Sequence, residues 1–227
     1  MTVAVVTGAS RGIGRAAALA LAARGLDVVL LARTSADLES VAKLVTACGV
    51  KALPLRCDVT SESDVAAAAR ETLAKLGAPD LVVNNAGIIR RGAVHEMSLE
   101  DFRAVVDTNL TSAFLVTRAF LPAMLPKGRG RIVQVASISS TLGTARASAY
   151  CAAKWGVIGF TKSLAEELRG TGLATMSVLP GSVDTSMLEG SGYAPQMTAE
   201  EVAATIAYAG LDAPSAMNGS AIEMFGP

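Results

Sequence analysis

The sequence predicts a doubly wound α/β fold in which seven parallel strands form one sheet with helices on both faces. Three observations predict it. Short β-branched runs alternate with longer helical stretches along the 227 residues, the pattern of a parallel sheet with crossover helices. The runs are nearly all apolar instead of alternating, as expected of strands covered on both faces. Apolar residues make up 51% of the chain but aromatics only 4%, so Ala and Val must fill an interior of helices packed closely on a sheet.

The strand-like runs, in order, are Val3–Thr7, Asp27–Ala32, Ala52–Cys57, Leu81–Asn84, Arg131–Ala136, Thr175–Leu179 and Ala221–Met224. The helical stretches between them are Gly12–Arg24, Ala36–Cys48, Glu62–Lys75, Leu99–Leu125, Ala149–Arg169 and Ala199–Tyr208. Ser98 followed by Asp101 marks a helix start, with acids in the first turn. Glu166 and Glu167 fall late in their helix, where the dipole does not favour them, and are read as solvated surface. No repeat, charge block or low-complexity linker interrupts the chain, so residues 1–227 are expected to form a single domain.

Lys+Arg and Asp+Glu both number 20. This balance argues against nucleic acid or an anionic membrane as partner. Cys48, Cys57 and Cys151 lack a metal-ligand spacing, so no metal site is expected, and reduced thiols in the cytoplasm are the simplest reading. Met1 leads directly into a strand-like run, so no signal peptide is expected. The longest Ala/Leu stretch, Ala16 to Ala23, is far below the ~20 residues that span a bilayer.

Thr7-Gly8-Ala9-Ser10-Arg11-Gly12-Ile13-Gly14 follows the first strand and opens the first helix. Its spacing is G-x-x-x-G-x-G and not G-x-G-x-x-G. The physical need is the same: glycines let the backbone approach a pyrophosphate, and the helix N-terminus supplies N–H donors and a positive dipole end. Gly14 would also let helix and strand pack closely.

With this turn in place, the chain resembles the short-chain dehydrogenase/reductase family along nearly its whole length. The matching pieces are Thr7–Gly14, Cys57-Asp58-Val59, Asn84-Asn85-Ala86-Gly87, Asn109, Ser137, Tyr150-x-x-x-Lys154 and Pro180-Gly181, in the family's order and spacing. The resemblance implies a Rossmann-type nucleotide-binding fold. It implies that Asp58 bonds the adenine, that Val59 beside it is also cofactor-binding, and that the Asn84–Gly87 segment, with Asn85, Ala86 and Gly87 in the cofactor site, packs beside the adenosine and stabilises the sheet. Pro180, Gly181, Val183 and Thr185 would hold the nicotinamide carboxamide. Within the family the chain is nearest to 3-oxoacyl-[acyl-carrier-protein] reductases and related small carbonyl reductases.

An NAD site usually carries an acid ~20 residues beyond the glycine turn, on the ribose 2′-hydroxyl. Here Ala32 stands at that point and Arg33 follows. An arginine binds a 2′-phosphate bidentately where an acid would repel it. Arg11, inside the turn, adds a second cation. The expected cofactor is therefore NADP(H).

Tyr150 and Lys154 are four residues apart and share one helix face. A free tyrosine, with pKa ~10, is a poor acid–base at neutral pH. A nearby ammonium is expected to lower that value towards the working range. Ser137 would offer a hydroxyl to the carbonyl oxygen. By resemblance, Lys154 also binds the nicotinamide ribose, and Asn109 holds a water that links Lys154 to solvent.

His95, the one histidine, is read as a surface or substrate-rim residue. Arg90 and Arg91 are read as solvated loop charges, with steering of an anionic substrate or carrier as the alternative. The segment at about residues 182–198 is expected to be a substrate lid, with Met187, Leu188, Tyr193 and Met197 as its apolar side chains. The expected substrate is an apolar ketone or 3-oxoacyl thioester, free or carrier-linked. The helices Leu99–Leu125 and Ala149–Arg169 present apolar residues outward, so a homodimer or homotetramer is expected. The competing function is an NADP-binding sensor or structural protein without chemistry.

Overall fold

The computed structural model describes residues 2–226. Seven strands, β1 (Val3–Thr7), β2 (Asp27–Ala32), β3 (Ala52–Arg56), β4 (Leu81–Asn84), β5 (Gly130–Val135), β6 (Leu173–Pro180) and β7 (Ala221–Met224), form one sheet in the order β3-β2-β1-β4-β5-β6-β7. Every neighbouring pair is parallel. The helices are α1 (Gly12–Ala23), α2 (Ser35–Ala47), α3 (Glu62–Lys75), α4 (Leu99–Val106), α5 (Ser112–Met124), α6 (Ser148–Glu167) and α7 (Ala199–Ala207). The chain builds outward from β1 to β3, then restarts on the other side of β1 with β4. The reversal leaves a crevice at the carboxyl ends of β1 and β4, where sheets of this kind bind ligands.

Alternation along each strand divides the core into two layers. Ala4 and Val6 join Val28, Leu30, Leu21, Val202 and Ile206 on the face covered by α1, α2 and α7. Val3 and Val5 join Val29, Leu31, Phe120 and Leu164 on the face covered by α3, α5 and α6. Phe120, Met124 and Ile132 are almost fully enclosed, and each such side chain contributes about 2 kcal/mol. The edge strand β7 departs from the pattern: Ala221 and Glu223 are exposed.

Helix starts follow local chemistry. Ser61, Ser98 and Thr198 each accept a hydrogen bond from a backbone N–H of the first turn, and Thr198 with Glu201 completes a capping box. The sequence predicts one helix over Leu99–Leu125, and here the structure differs. After Val106 the chain takes a π-helical turn, Asp107–Thr111, before α5 begins. The Asn109 side chain explains the widened turn. Its Nδ2 donates to Val105 O at 2.8 Å and to Ile88 O at 2.7 Å, and a wider turn lets a polar side chain face inward. Such π-turns concentrate at functional sites.

Candidate active site

The glycine turn lies in the crevice. Gly14 is tolerated there for want of a side chain: a Cβ on it would stand 2.2 Å from Gly8 O and 2.5 Å from Asn85 Nδ2. Gly12 has a φ of +53°, and a Cβ there would meet Thr185 Cγ2 at 3.2 Å. Thr185, more than 170 positions later in sequence, is thereby brought onto the turn. Arg11 caps α1 in extended backbone without a side-chain hydrogen bond, so the first N–H groups of α1, unlike those of α3, α4 and α7, have no side-chain acceptor. Ser10 and Ile13 are half-buried within the turn and Arg11 is exposed.

The end of β4 is locked to the end of β1. Thr7 Oγ1 accepts from the backbone N–H groups of Asn85 (2.9 Å) and Ala86 (3.0 Å), while Asn85 Nδ2 donates to Thr7 O at 2.9 Å. Asn84 turns the other way, donating to Thr117 Oγ1 at 3.0 Å. Thr7 opens the sequence motif, but the role of its hydroxyl emerges only once β1 and β4 are neighbours.

Farther along the crevice, Asp58 is half-buried and Val59 buried. Burial raises the Asp58 carboxyl, but hydrogen bonds from Thr60 and the charges of Arg33 and Arg56 outweigh it and hold the group below the usual carboxylate range. One Asp58 oxygen is taken by Thr60 N (3.0 Å) and Oγ1 (2.7 Å). Arg33 is exposed at the end of β2, next to buried Ala32.

On the other side, β5 delivers Ser137 and α6 delivers Tyr150 and Lys154; all three are buried. Lys154 Nζ donates to Val135 O at 2.8 Å and lies 5.6 Å from the Tyr150 ring centroid. Burial lowers the Lys154 ammonium to about 8. Burial also raises the Tyr150 phenol above its ordinary value; the neighbouring Ser137 hydroxyl pulls the other way, as does the charge of Arg91. The expectation that Lys154 would lower the phenol therefore needs correcting for this state of the site. Desolvation outweighs the cationic influences, and the Lys154 ammonium is directed at a main-chain carbonyl and the ring.

Asn109 reaches the same place. Its Oδ1 is buried and has no hydrogen-bond partner. A Cβ placed on Gly87 would be 2.6 Å from Asn109 Oδ1 and 3.7 Å from Lys154 Nζ, so the orphaned oxygen and the ammonium border one small space. A buried carbonyl oxygen without a donor costs about 1–3 kcal/mol, and a water at this point would satisfy it.

Pro180 and Gly181 end β6, where Gly181 N donates to Met224 O at 2.8 Å. The lid segment leaves and returns through a clamp: Val183 bridges Met197, and Gln196 N donates to Ser182 O at 2.8 Å. Met197, expected on the substrate side of the lid, belongs instead with Val183 in the core beside α7. Met187 and Tyr193 are exposed on the projecting part. His95 is exposed, near Glu96 at 3.9 Å. Burial pushes the Cys57 thiol up to about 11, which leaves it unreactive. No helix among the described residues is long and apolar enough to cross a membrane.

This arrangement can hold an anionic dinucleotide at one end and donate a proton at the other, and comparison with known proteins agrees with its class. Residues 2–195 match the family described as short chain dehydrogenase, and the chain belongs to that family. It is 41% identical over 220 residues to a 3-oxoacyl-[acyl-carrier-protein] reductase of Synechocystis sp., covering 92% of this chain and 89% of that one. It is 38% identical over 185 residues to the 3-oxoacyl-[acyl-carrier-protein] reductase FabG of Escherichia coli, covering 82% and 75%. A crystal structure of a short-chain type dehydrogenase/reductase from Mycobacterium marinum superposes with a TM-score of 0.94 at 36% identity, covering 99% and 94%.

Proposed function

We propose that the chain reduces a ketone, a 3-oxoacyl thioester or similar apolar carbonyl, to a secondary alcohol with NADPH, Tyr150 acting as general acid. The observation that carries the reading is the enclosure of Tyr150, Ser137 and Lys154 beside the unpartnered Asn109 oxygen. Four polar groups are held in a buried space at a cost that packing alone does not require. The names of the Synechocystis and Escherichia coli relatives support the 3-oxoacyl class.

The residues fit the cofactor. The space held open at Gly8, Gly12 and Gly14 and the uncapped start of α1 suit a pyrophosphate, with Ser10, Arg11 and Ile13 around it. Arg33 would meet the 2′-phosphate, and Asp58 and Val59 the adenine. Asn85, Ala86 and Gly87 would border the adenosine, and Pro180, Gly181, Val183 and Thr185 the carboxamide. When bound, NADPH supplies the hydride. Ser137 orients the carbonyl oxygen, and the Tyr150 phenol, kept protonated by burial, donates its proton to that oxygen. Lys154 holds the ribose and offsets the phenolate that results, and a water on Asn109 Oδ1 returns a proton through Lys154.

The outer faces of α5 and α6 support a proposed self-assembly. Phe114 is 43% and Trp155 53% exposed, and Phe114 stacks edge-on against Phe160 at 6.5 Å. Such surface suits a second copy of the chain, a homodimer or a tetramer of dimers.

The cofactor assignment is tested by comparing NADPH and NADH. The unchanged protein should prefer NADPH, and Ala32→Asp with Arg33→Ser should move that preference towards NADH by replacing phosphate recognition with acid–ribose recognition. A native preference for NADH would refute it.

A further inference from the structure

We propose that Arg91 and Arg146 form an anion-recognition pair at the mouth of the site, which binds a carboxylate or phosphate carried by the carbonyl substrate. The inference rests on the reductase reading above and narrows its substrate class.

Arg146 is the one non-glycine residue among those described with a positive φ, +61°. It is the third residue of a turn closed by Ala147 N donating to Thr144 O at 3.2 Å, a position where positive φ ordinarily selects glycine. An arginine held in left-handed backbone is strained, and such strain concentrates at functional sites. Nothing local offsets it. The Arg146 side chain has no ion pair or hydrogen bond among the described residues, and it is exposed. The residue is placed by its backbone instead: Arg146 O accepts from Gly92 N at 2.9 Å. That bond ties the segment entering α6 to the segment carrying Arg90 and Arg91.

Arg91 is exposed and likewise has no carboxylate partner, whereas its neighbour Arg90 faces Asp101 at 3.6 Å and Glu96 faces His95. Asp101 and Glu96 on this rim are thus turned to other side chains. Both segments pack around the proton donor, for Ala147, Ala149 and Tyr150 share an apolar cluster with Ile88, Ile89 and Met97. The charge of Arg91 also reaches the phenol, as a smaller influence than burial and the Ser137 hydroxyl. Two unpaired guanidinium groups, joined through one backbone bond beside the reacting centre, match a carboxylate or phosphate.

The test measures NADPH oxidation by the full chain with three carbonyls: a 3-oxoacyl pantetheine thioester, its 4′-phosphopantetheine counterpart, and a free 3-oxo acid. Arg91→Ala and Arg146→Gly should each lower the ratio of kcat/KM for an anionic substrate to that for the neutral thioester by about tenfold or more, mainly through KM. A loss confined to the phosphopantetheine thioester identifies a phosphate; one confined to the free acid identifies a carboxylate. Arg146→Gly relieves the strained φ, so its melting temperature should equal or exceed that of the unchanged protein. Unaltered ratios in both variants would overturn the pair, and unaltered ratios with a lower melting temperature for Arg146→Gly would mark that arginine as structural. If the unchanged protein turns over none of the three, the reductase reading fails and the pair with it.

Discussion

The two sides of the crevice are built differently. On the cofactor side, β1, β4 and the glycine turn are fixed by hydrogen bonds converging on Thr7 and by a glycine whose added Cβ would overlap backbone. On the substrate side, the lid is clamped only where it leaves and rejoins the body. Gly190 and Gly192, in its projecting part, have positive φ but open space around them. The same residue type therefore answers close approach at Gly14 and conformational freedom at Gly190 and Gly192. On the proposed reading, the difference means that the dinucleotide would meet a preorganised surface, while the choice of carbonyl would be left to segments that adapt.

The largest effect should come from filling the packed side. Gly14→Ala forces a Cβ against Gly8 O and Asn85 Nδ2, and a clash with backbone is expected to cost about 3 kcal/mol. Chemical denaturation should show that loss, and NADPH titration a collapse of cofactor affinity. A variant that folds and binds normally would show that the turn is looser than described.

Next in size is the buried ammonium. The Lys154 pKa, lowered to about 8 by burial, lies below its unfolded value of 10.5. Between those values the unfolded chain binds more protons than the folded one, so this group's contribution to stability grows as pH rises from about 8 towards 10.5. Below about 8 the charged form is buried at a cost. Lys154→Met should therefore raise the melting temperature at pH ~7 while removing most activity. In the unchanged enzyme, reduction should decline above pH of about 8 as the lysine loses its proton. A flat rate across that range would detach the lysine from catalysis.

The smallest effect belongs to the lid. Gly190→Ala and Gly192→Ala meet no neighbour, so each should cost only the left-handed backbone strain, about 1 kcal/mol. KM for the carbonyl should change while NADPH affinity stays within about twofold. Equal damage to both would erase the contrast between the two sides.

How much of this was legible in the sequence follows the range of the interactions. The bounds of β1, β2, β4 and β7 coincide with the predicted runs: β1, β2 and β4 are largely apolar and buried throughout, and the half-exposed β7 is set off by Gly219 and Gly226. The start of α4 was marked by Ser98 and Asp101, whose contact is three residues long. The π-turn at Asp107–Thr111 was not legible: the apolar spacing continues through it, and what widens it is a bond from Asn109 to Ile88, 21 residues away. Met197 reads as an apolar lid residue until its pairing with Val183 carries it into the core. Lys154 and Tyr150 could be placed on one helix face by spacing, but not the direction of the ammonium, which depends on the Val135 carbonyl of another element. Arg146 left no local sign, since only the fold reveals a positive φ.

The most direct test of the central claim separates the two sides in one variant. Tyr150→Phe removes a single oxygen from the enclosed phenol and leaves the glycine turn untouched. With NADPH and the best ketone of a panel, turnover should fall at least ~10²-fold, the contribution of a general acid, while NADPH affinity, measured by fluorescence titration, stays within ~2-fold, a change of only about 0.4 kcal/mol. Turnover near that of the unchanged protein, with NADPH still bound, would contradict the assignment of Tyr150 as proton donor.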